Sequence, residues 1–438
     1  MTPRTIIARY YVVAGLYMLA AAMVWGVNTL FLLDAGLGIF EVFVANAAFA
    51  AGSVIFEIPT GVYADTRGRR ASFLLSVSIL FLTTLGYVGV SRAGGGLLAF
   101  SLVSALMGLG FTFYSGAVEA WLVDALRHAR FEGQLDSVFA RGAMVSGAAM
   151  LVGTVSGGLL GDVDLSLPYL VRAGLLAVAF VVAFLILHDH GFTPRAARIK
   201  DMAGEMRRVA RDSVEHGWRR PSVRLLMFCS FFQWGFLSWG FYAWQPYFLE
   251  LLERDAVWVA GVVAALISLS TILGNVLVDW FGRFCGRRTT LLLWAAGIQT
   301  AAAVGVGMAD SFGTAVGLFL IVTGAMGVTG PVKQAYLHQV IPTEQRASVV
   351  SLVSLLGSAG GVLGQTSLGY LSRVRSIGDG YIAGGLATIA VLPLLLVLRV
   401  RGERADLIVG RKAGRRSGCA AQGLPEISQV SAGPAERV

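Results

Sequence analysis

Runs of roughly 20 apolar residues recur along the whole chain, and nothing else in the sequence limits its folding as strongly. Each run can cross a hydrocarbon layer about 30 Å thick as a helix. Lipid offers no water to satisfy peptide groups, so a spanning segment must bond internally as a helix or close into a barrel. The short alternating strands of a barrel are not evident. Only 14% of the 438 residues are charged, against 56% hydrophobic, whereas a soluble domain carries about 25% charge. The expected fold class is an all-α membrane protein.

Twelve spans are expected: Tyr10 to Leu33, Phe40 to Val62, Ala71 to Val90, Leu97 to Ala120, Phe139 to Leu160, Tyr169 to Leu187, Leu225 to Leu249, Ala256 to Val278, Thr289 to Met308, Phe312 to Tyr336, Val349 to Tyr370 and Tyr381 to Val397. They divide as six plus six. Residues 1–190 form a first bundle, 191–224 a linker, 225–398 a second bundle and 399–438 a polar tail expected to be disordered. Arg4 and Arg9 precede the first apolar run, which at its length reads as an uncleaved helix rather than a signal core. In the linker, Glu205, Arg207, Arg208, Arg211, Asp212 and Glu215 suit either an amphipathic surface helix or a solvated connector.

The net charge of +9 sits mainly in alternate short loops, with Arg67, Arg69, Arg70, Arg127, Arg130, Arg283, Arg287 and Arg288 on one side together with the linker. Arg92, Arg254, Arg373 and Arg375 are the minority on the other. This bias predicts both termini in the cytoplasm and a multi-pass protein of the plasma or inner membrane. It also accounts for the basic residues without nucleic acid. Cys229, Cys285 and Cys419 are spaced for neither a disulfide framework nor a zinc site. His188 and His190 flank Asp189 at a span end, which reads as a solvated cap and not a metal site. No cofactor is expected.

The loop after the second span reads Gly61-Val-Tyr-Ala-Asp65-Thr-Arg67-Gly68-Arg69-Arg70, and the loop after the eighth contains Gly274, Asp279, Gly282, Arg283, Gly286, Arg287 and Arg288. Two related loops half a chain apart mark an internal repeat of the six-helix unit. As a latch, glycine permits close helix approach, the aspartate meets an Arg or a helix N-terminus, and the Arg pair anchors at headgroups.

On these residues the chain resembles the major facilitator superfamily, whose signature G-x-x-x-D-R/K-x-G-R/K-R/K follows the second helix. Thr66 departs from that signature, with Arg67 one place later, and the second copy carries extra residues before Gly286. The resemblance implies two six-helix bundles, a cytoplasmic gate at these motifs and a secondary transporter working by alternating access, with no enzyme activity. Phe56 to Gly61 and Ser115 to Trp121 are similar to bacterial efflux members and favour export of drug-like or metabolite compounds, most plausibly against protons. Family drug:proton antiporters often carry a Pro-containing motif in the fifth helix and an Arg with Gln-Gly in the fourth. Gly153 to Gly158 lacks the Pro and Ser104 to Gly110 lacks the Arg and Gln, so the resemblance does not establish antiport. Proton-coupled uptake of a small metabolite, or a transport-inactive sensor or scaffold, stays open beside it.

Charges within spans are costly and face a cavity or a partner. Glu57 and Glu119 are the candidates for proton coupling, although Glu57, next to Pro59 and close to the loop, suits a structural role better. Gly108, Thr112, Ser115 and Glu119 would form one polar stripe on a continuous fourth helix. The alternative for Glu119 is a gate ion pair with Arg141 or Lys333; Asp124 is a further gate charge. Lys333 would serve either such a pair or an anionic group of the substrate. Substrate-cavity candidates are Tyr17, Asn28, Ser115, Trp234, Phe241, Gln245 and Gln334, because the resemblance implies that the first, fourth, seventh and tenth helices line the cavity. The aromatic seventh helix suits lipophilic or cationic compounds; lipid-facing packing would give similar counts. Gly357 to Gly364 lies in a span without a following Lys-Ser or Lys-Thr, so it serves helix packing and not ATP. The expected partners are a small-molecule substrate, protons and the bilayer, with the chain monomeric.

Overall fold

The computed structural model describes residues 1–189, 191–192, 218–254, 256–341 and 346–408. The linker residues singled out between Glu205 and Glu215, His190, and the tail from 409 lie outside the described residues, as do the side chains of Asp279, Arg283 and Arg346.

Fifteen α-helices are present among the described residues. In chain order they are α1 (Pro3–Ala22), α2 (Asn28–Asp34), α3 (Ile39–Arg67), α4 (Arg69–Arg92), α5 (Leu97–Tyr114), α6 (Ala117–His128), α7 (Leu135–Val163) and α8 (Leu167–Ile186), then α9 (Pro221–Leu252), α10 (Val257–Phe284), α11 (Arg288–Gly307), α12 (Phe312–Val340), α13 (Arg346–Val374), α14 (Ile377–Thr388) and α15 (Val391–Val400). Three pairs, α1 with α2, α5 with α6 and α14 with α15, continue one another as broken rods. Ten stretches are long and apolar enough to cross a membrane. Two further rods, α9 and α13, have the length at 32 and 29 residues, but Trp, Tyr and Gln in one and Ser and Gly in the other lower their hydropathy. No strand is present among the described residues; Arg287 and Leu407 form an isolated bridge.

The break between α5 and α6 corrects the expected polar stripe. Ser115 is extended at ψ 116° and Gly116 is left-handed at φ +72°, a conformation inexpensive only without a Cβ. Thr112 is therefore buried in one helix while Glu119 is exposed in the first turn of the next.

The first bundle, α1 to α8, encloses one apolar core around Phe31, Phe73, Phe100 and Leu122. The second has two cores, one around Trp239, Trp244, Phe248 and Tyr381, the other around Leu226, Leu292, Tyr336 and Leu398. Between the bundles, α7 packs on α10 and α3 on α13. These contacts run from mid-helix to the end remote from the motif loops. There a Cβ on Gly158 would lie 2.6 Å from the Gly261 Cα, and one on Gly369 would lie 2.8 Å from the Phe43 ring. The Trp258 N–H donates to the Asp162 carboxylate at 3.3 Å, and Phe40 meets Tyr370 edge-on at 6.0 Å. Glycine makes such crossings possible because dispersion forces act only at contact, and lipid supplies no hydrophobic drive between helices.

The expected disordered tail from 399 is corrected over its described part: residues 399–400 still belong to α15. Residues 404–406 form a 3₁₀ turn, and Asp406 is buried.

Candidate substrate cavity and gates

A cavity of about 460 Å³ lies between the bundles, beneath the remote-end seal. Trp25, Asn46 and Phe49 contribute from the first bundle; Trp234, Phe241, Tyr242, Phe319 and Gln365 contribute from the second. Its described lining holds no Asp, Glu, Lys, Arg or His. Two amides supply the polar handles. Asn46 accepts a hydrogen bond from Asn28 at 3.0 Å, yet its own NH2 has no partner. Gln365 donates to the Ser238 carbonyl at 3.3 Å, yet its Oε1 has none. An apolar, aromatic space with one idle donor and one idle acceptor suits a lipophilic molecule bearing few polar groups. Asn46 and Gln365 escaped the sequence reading because a single amide in an apolar helix gives no periodic signal.

Of the expected cavity residues, Trp234 and Phe241 line this space and the rest lie elsewhere. Gln245 is fully buried, accepting from the Thr29 N–H at 2.8 Å and donating to the Trp25 carbonyl at 2.8 Å. It joins the bundles at the break between α1 and α2, where unpaired peptide groups attract it. Asn28 accepts from the Tyr169 hydroxyl at 2.9 Å, and Tyr17 stacks on Tyr114 with ring centroids 3.5 Å apart; both serve the first bundle. Ser115 forms the helix break. Gln334 lines a second pocket, of about 250 Å³, with Lys333, Ser230, Gln233 and Gln299.

Neither Lys333 nor Arg141 forms an ion pair among the described residues. Lys333 Nζ donates to the Ser230 hydroxyl at 2.9 Å; Arg141, Glu57 and Glu119 are exposed. Glu119 lies within electrostatic reach of Tyr10 and Tyr114. Asp124 lines a cleft of about 430 Å³ at the motif end, with Asp65, Arg69, Arg127 and His128.

The two motif loops share one capping device. Asp65 pairs with Arg69 at 2.7 Å. Gly68, at φ +105°, lets the chain turn directly into α4, where a Cβ would strike the Asp189 carboxylate. Asp189 accepts from the Arg70 N–H at 2.9 Å, capping α4. Its carboxyl is pushed up by burial, an effect that the Arg70 N–H and guanidinium oppose. The Arg70 guanidinium donates to the Phe184 carbonyl at 2.7 Å and lies 4.8 Å over the Phe184 ring, and Arg67 is exposed. In the second half Asp406 accepts from the Thr289 N–H at 2.7 Å and from its hydroxyl at 2.9 Å, capping α11. Arg288 donates to the Ala405 carbonyl at 2.5 Å and to Gln339 at 2.9 Å. In each half, then, an aspartate just past the last helix holds the start of the helix that follows the motif. This corrects the reading of Asp189 as a solvated cap. Gly61 faces open space, whereas at Gly274 a Cβ would strike the Gly324 carbonyl of α12; the close approach expected of both glycines occurs in the second copy alone.

Sequence reasoning also missed Arg172. It is buried in the first bundle among Tyr17, Tyr87, Tyr169 and Tyr242. Its Nη2 approaches the Met107 sulfur at 3.8 Å and its Nε has no partner. An Arg five residues inside an apolar helix was the available signal.

The major facilitator superfamily profile matches residues 10–365 and 259–421, spanning both bundles and the gate loops just described. The chain belongs to the major facilitator superfamily. This superfamily member is 19% identical to YxaM, an MFS-type transporter of Bacillus subtilis (strain 168), over 88% of this chain and 94% of that one. It is 28% identical to the class E tetracycline resistance protein of Escherichia coli over 35% of each chain. Among solved structures it superposes on the nucleoside transporter NupG with TM-score 0.73 at 12% identity, covering 90% of this chain and 99% of that one. A POT family transporter in complex with 5-aminolevulinic acid gives TM-score 0.69 at 12% identity, covering 90% and 96%. The human organic anion transporter MFSD10 gives 0.61 at 15% identity, covering 90% and 100%. At these identities the structures establish the fold. It is a multi-pass membrane protein with a transporter fold and not an enzyme.

Proposed function

We propose that this superfamily member is a proton-coupled exporter of lipophilic compounds, working by alternating access across the plasma or inner membrane. One observation carries the reading: the cavity shared by the two bundles is aromatic, holds no charged side chain in its described lining and is closed at the end remote from the motif loops, where small-residue crossings join the bundles. A sugar-like substrate would need many paired donors and acceptors there; two idle amides suit a greasy one. With the motif loops at the cytoplasm, as the arginine bias argues, the present arrangement is inward-facing, the state in which an exporter loads. The partial match to a tetracycline resistance protein and the efflux-like segments Phe56 to Gly61 and Ser115 to Trp121 favour export.

Glu119 and Glu57 are exposed in the motif half, where a proton arriving from the cytoplasmic side reaches them. The Asp65, Arg69 and Asp189 cluster and its counterpart at Arg288 and Asp406 hold the cytoplasmic gate. In proteoliposomes containing a pH-sensitive dye, addition of a lipophilic substrate should drive proton movement, and Glu119→Gln should reduce it to the level of empty vesicles. Undiminished gradient-driven flux in both Glu57→Gln and Glu119→Gln would remove these carboxylates from the coupling step. Substrate accumulation on the far side of the motif loops marks export; accumulation on the motif side overturns the direction.

A further inference from the structure

We propose that the Lys333 pocket receives the anionic head of the substrate, so that the transported compounds are amphipathic organic monoanions, aromatic carboxylates above all. This rests on the lipophilic-cavity reading and adds the charge that its substrate carries. Trp234, Leu237 and Met326 line both the central cavity and the smaller pocket, so the two adjoin across a shared wall, an apolar body beside a polar end. Lys333, on α12, is the single Asp, Glu, Lys, Arg or His in the described lining of either part.

Its surroundings leave that charge unmet. Nζ donates to the Ser230 hydroxyl at 2.9 Å, and no carboxylate among the described residues lies within ion-pair distance. Cys229, beside Ser230 on α9, is its nearest titratable neighbour and is a free thiol. An ammonium withdrawn from water is expensive unless an opposite charge or several acceptors compensate it. One hydroxyl oxygen does not. Gln233, Gln299 and Gln334 surround the same space, and their amides make no hydrogen bonds among the described residues. Together they offer N–H donors around one cation, the complement of a carboxylate, which accepts through two oxygens and donates nothing. A single lysine matches a single negative charge. The absence of Asp and Glu from the described lining also tells against cationic substrates, which the aromatic wall alone would have suited.

The test uses the full chain in lipid nanodiscs and equilibrium dialysis against naphthoate and its neutral isostere naphthamide. Wild type should bind naphthoate at least about tenfold more tightly, the scale of one charge-assisted hydrogen bond. Lys333→Met should bring naphthoate down to the naphthamide level and leave naphthamide unchanged, which shows at once that the cavity has kept its fold; Lys333→Arg should restore the preference. Equal binding of the two probes by wild type, or a preference that survives in Lys333→Met, overturns the anion assignment and leaves the lipophilic reading intact. Binding of neither probe defeats both. Naphthoate preference without gradient-driven transport supports the site and defeats the exporter reading.

Discussion

Asp189 and Asp406 show how much a single carboxylate does at the edge of a membrane helix. Each accepts the N–H of the second residue of the helix after a motif loop, where unpaired donors and the helix dipole favour a negative oxygen. Asp189→Ala should weaken the loop by about 1 kcal/mol, the usual worth of a lost cap, measured as faster hydrogen exchange at Arg69 to Phe73. Asp189→Asn keeps an acceptor without the buried charge and should exchange no faster than wild type; if it matches the alanine variant, charge and not acceptance is what matters. The pH dependence has a definite sign. Burial raises the Asp189 carboxyl above its unfolded value, so ionisation costs the folded loop more than the unfolded chain. The contribution of Asp189 to loop stability therefore falls as pH rises through the carboxylate range, and Asp189→Asn should abolish that slope.

At the scale of helices, the seal between α7 and α10 depends on backbone approaching backbone. Gly158 and Gly261 face each other so closely that a Cβ on Gly261 would lie 2.7 Å from the Thr154 carbonyl. The obstructing atoms are main chain and cannot rotate aside. Gly158→Leu should destabilise this closed end by about 1–3 kcal/mol, the cost of overpacking, and shift the population toward the state open at the remote end. Cysteines placed at Val27 and Ala260, both buried beside the seam, should then react faster with a membrane-impermeant reagent. Unchanged rates would mean that the seam does not set the balance between states. The break at Gly116 belongs to the same scale: it separates α6, with Glu119 and Asp124, from the packed α5, so a movement of α6 would not require unwinding α5.

For the molecule as a whole, two helical bundles meet along α7 with α10 and α3 with α13, and both pairs are closed from mid-helix to the remote end. On the proposed alternating-access reading, the two halves would rock as rigid bodies about the cavity. Spin labels at Arg141 on α7 and Phe284 on α10 report the motif end; labels at Val163 and Trp258 report the remote end. Substrate that drives the cycle should shorten the first distance while lengthening the second. Two distances that change in the same sense would exclude rigid rocking.

The all-helical membrane fold, the repeat and the motif loops were legible in the sequence because they rest on local quantities: apolar length, arginine placement and a short spacing repeated half a chain later. The expected spans fall on the helices, but three rods are broken, between Ala22 and Asn28, at Gly116 and between Thr388 and Val391; a left-handed residue such as Gly116 interrupts a helix without disturbing its hydropathy. The site was legible only in part. Trp234 and Phe241 do face the cavity, but Gln245, on the same helical face, was drawn into the bundle seal by the open peptide groups at Trp25 and Thr29. Asn46 and Gln365 gave no pattern, Arg172 gave a signal that went unread, and the capping roles of Asp189 and Asp406 join positions more than a hundred residues apart. Which face of each helix meets its partner is decided by packing between helices, since lipid tails and a neighbouring helix are equally apolar to a leucine. The sequence by itself therefore determined that the chain spans the membrane as two related bundles. Tertiary contact alone decided which side chains reach the cavity and that Lys333 meets no carboxylate there among the described residues.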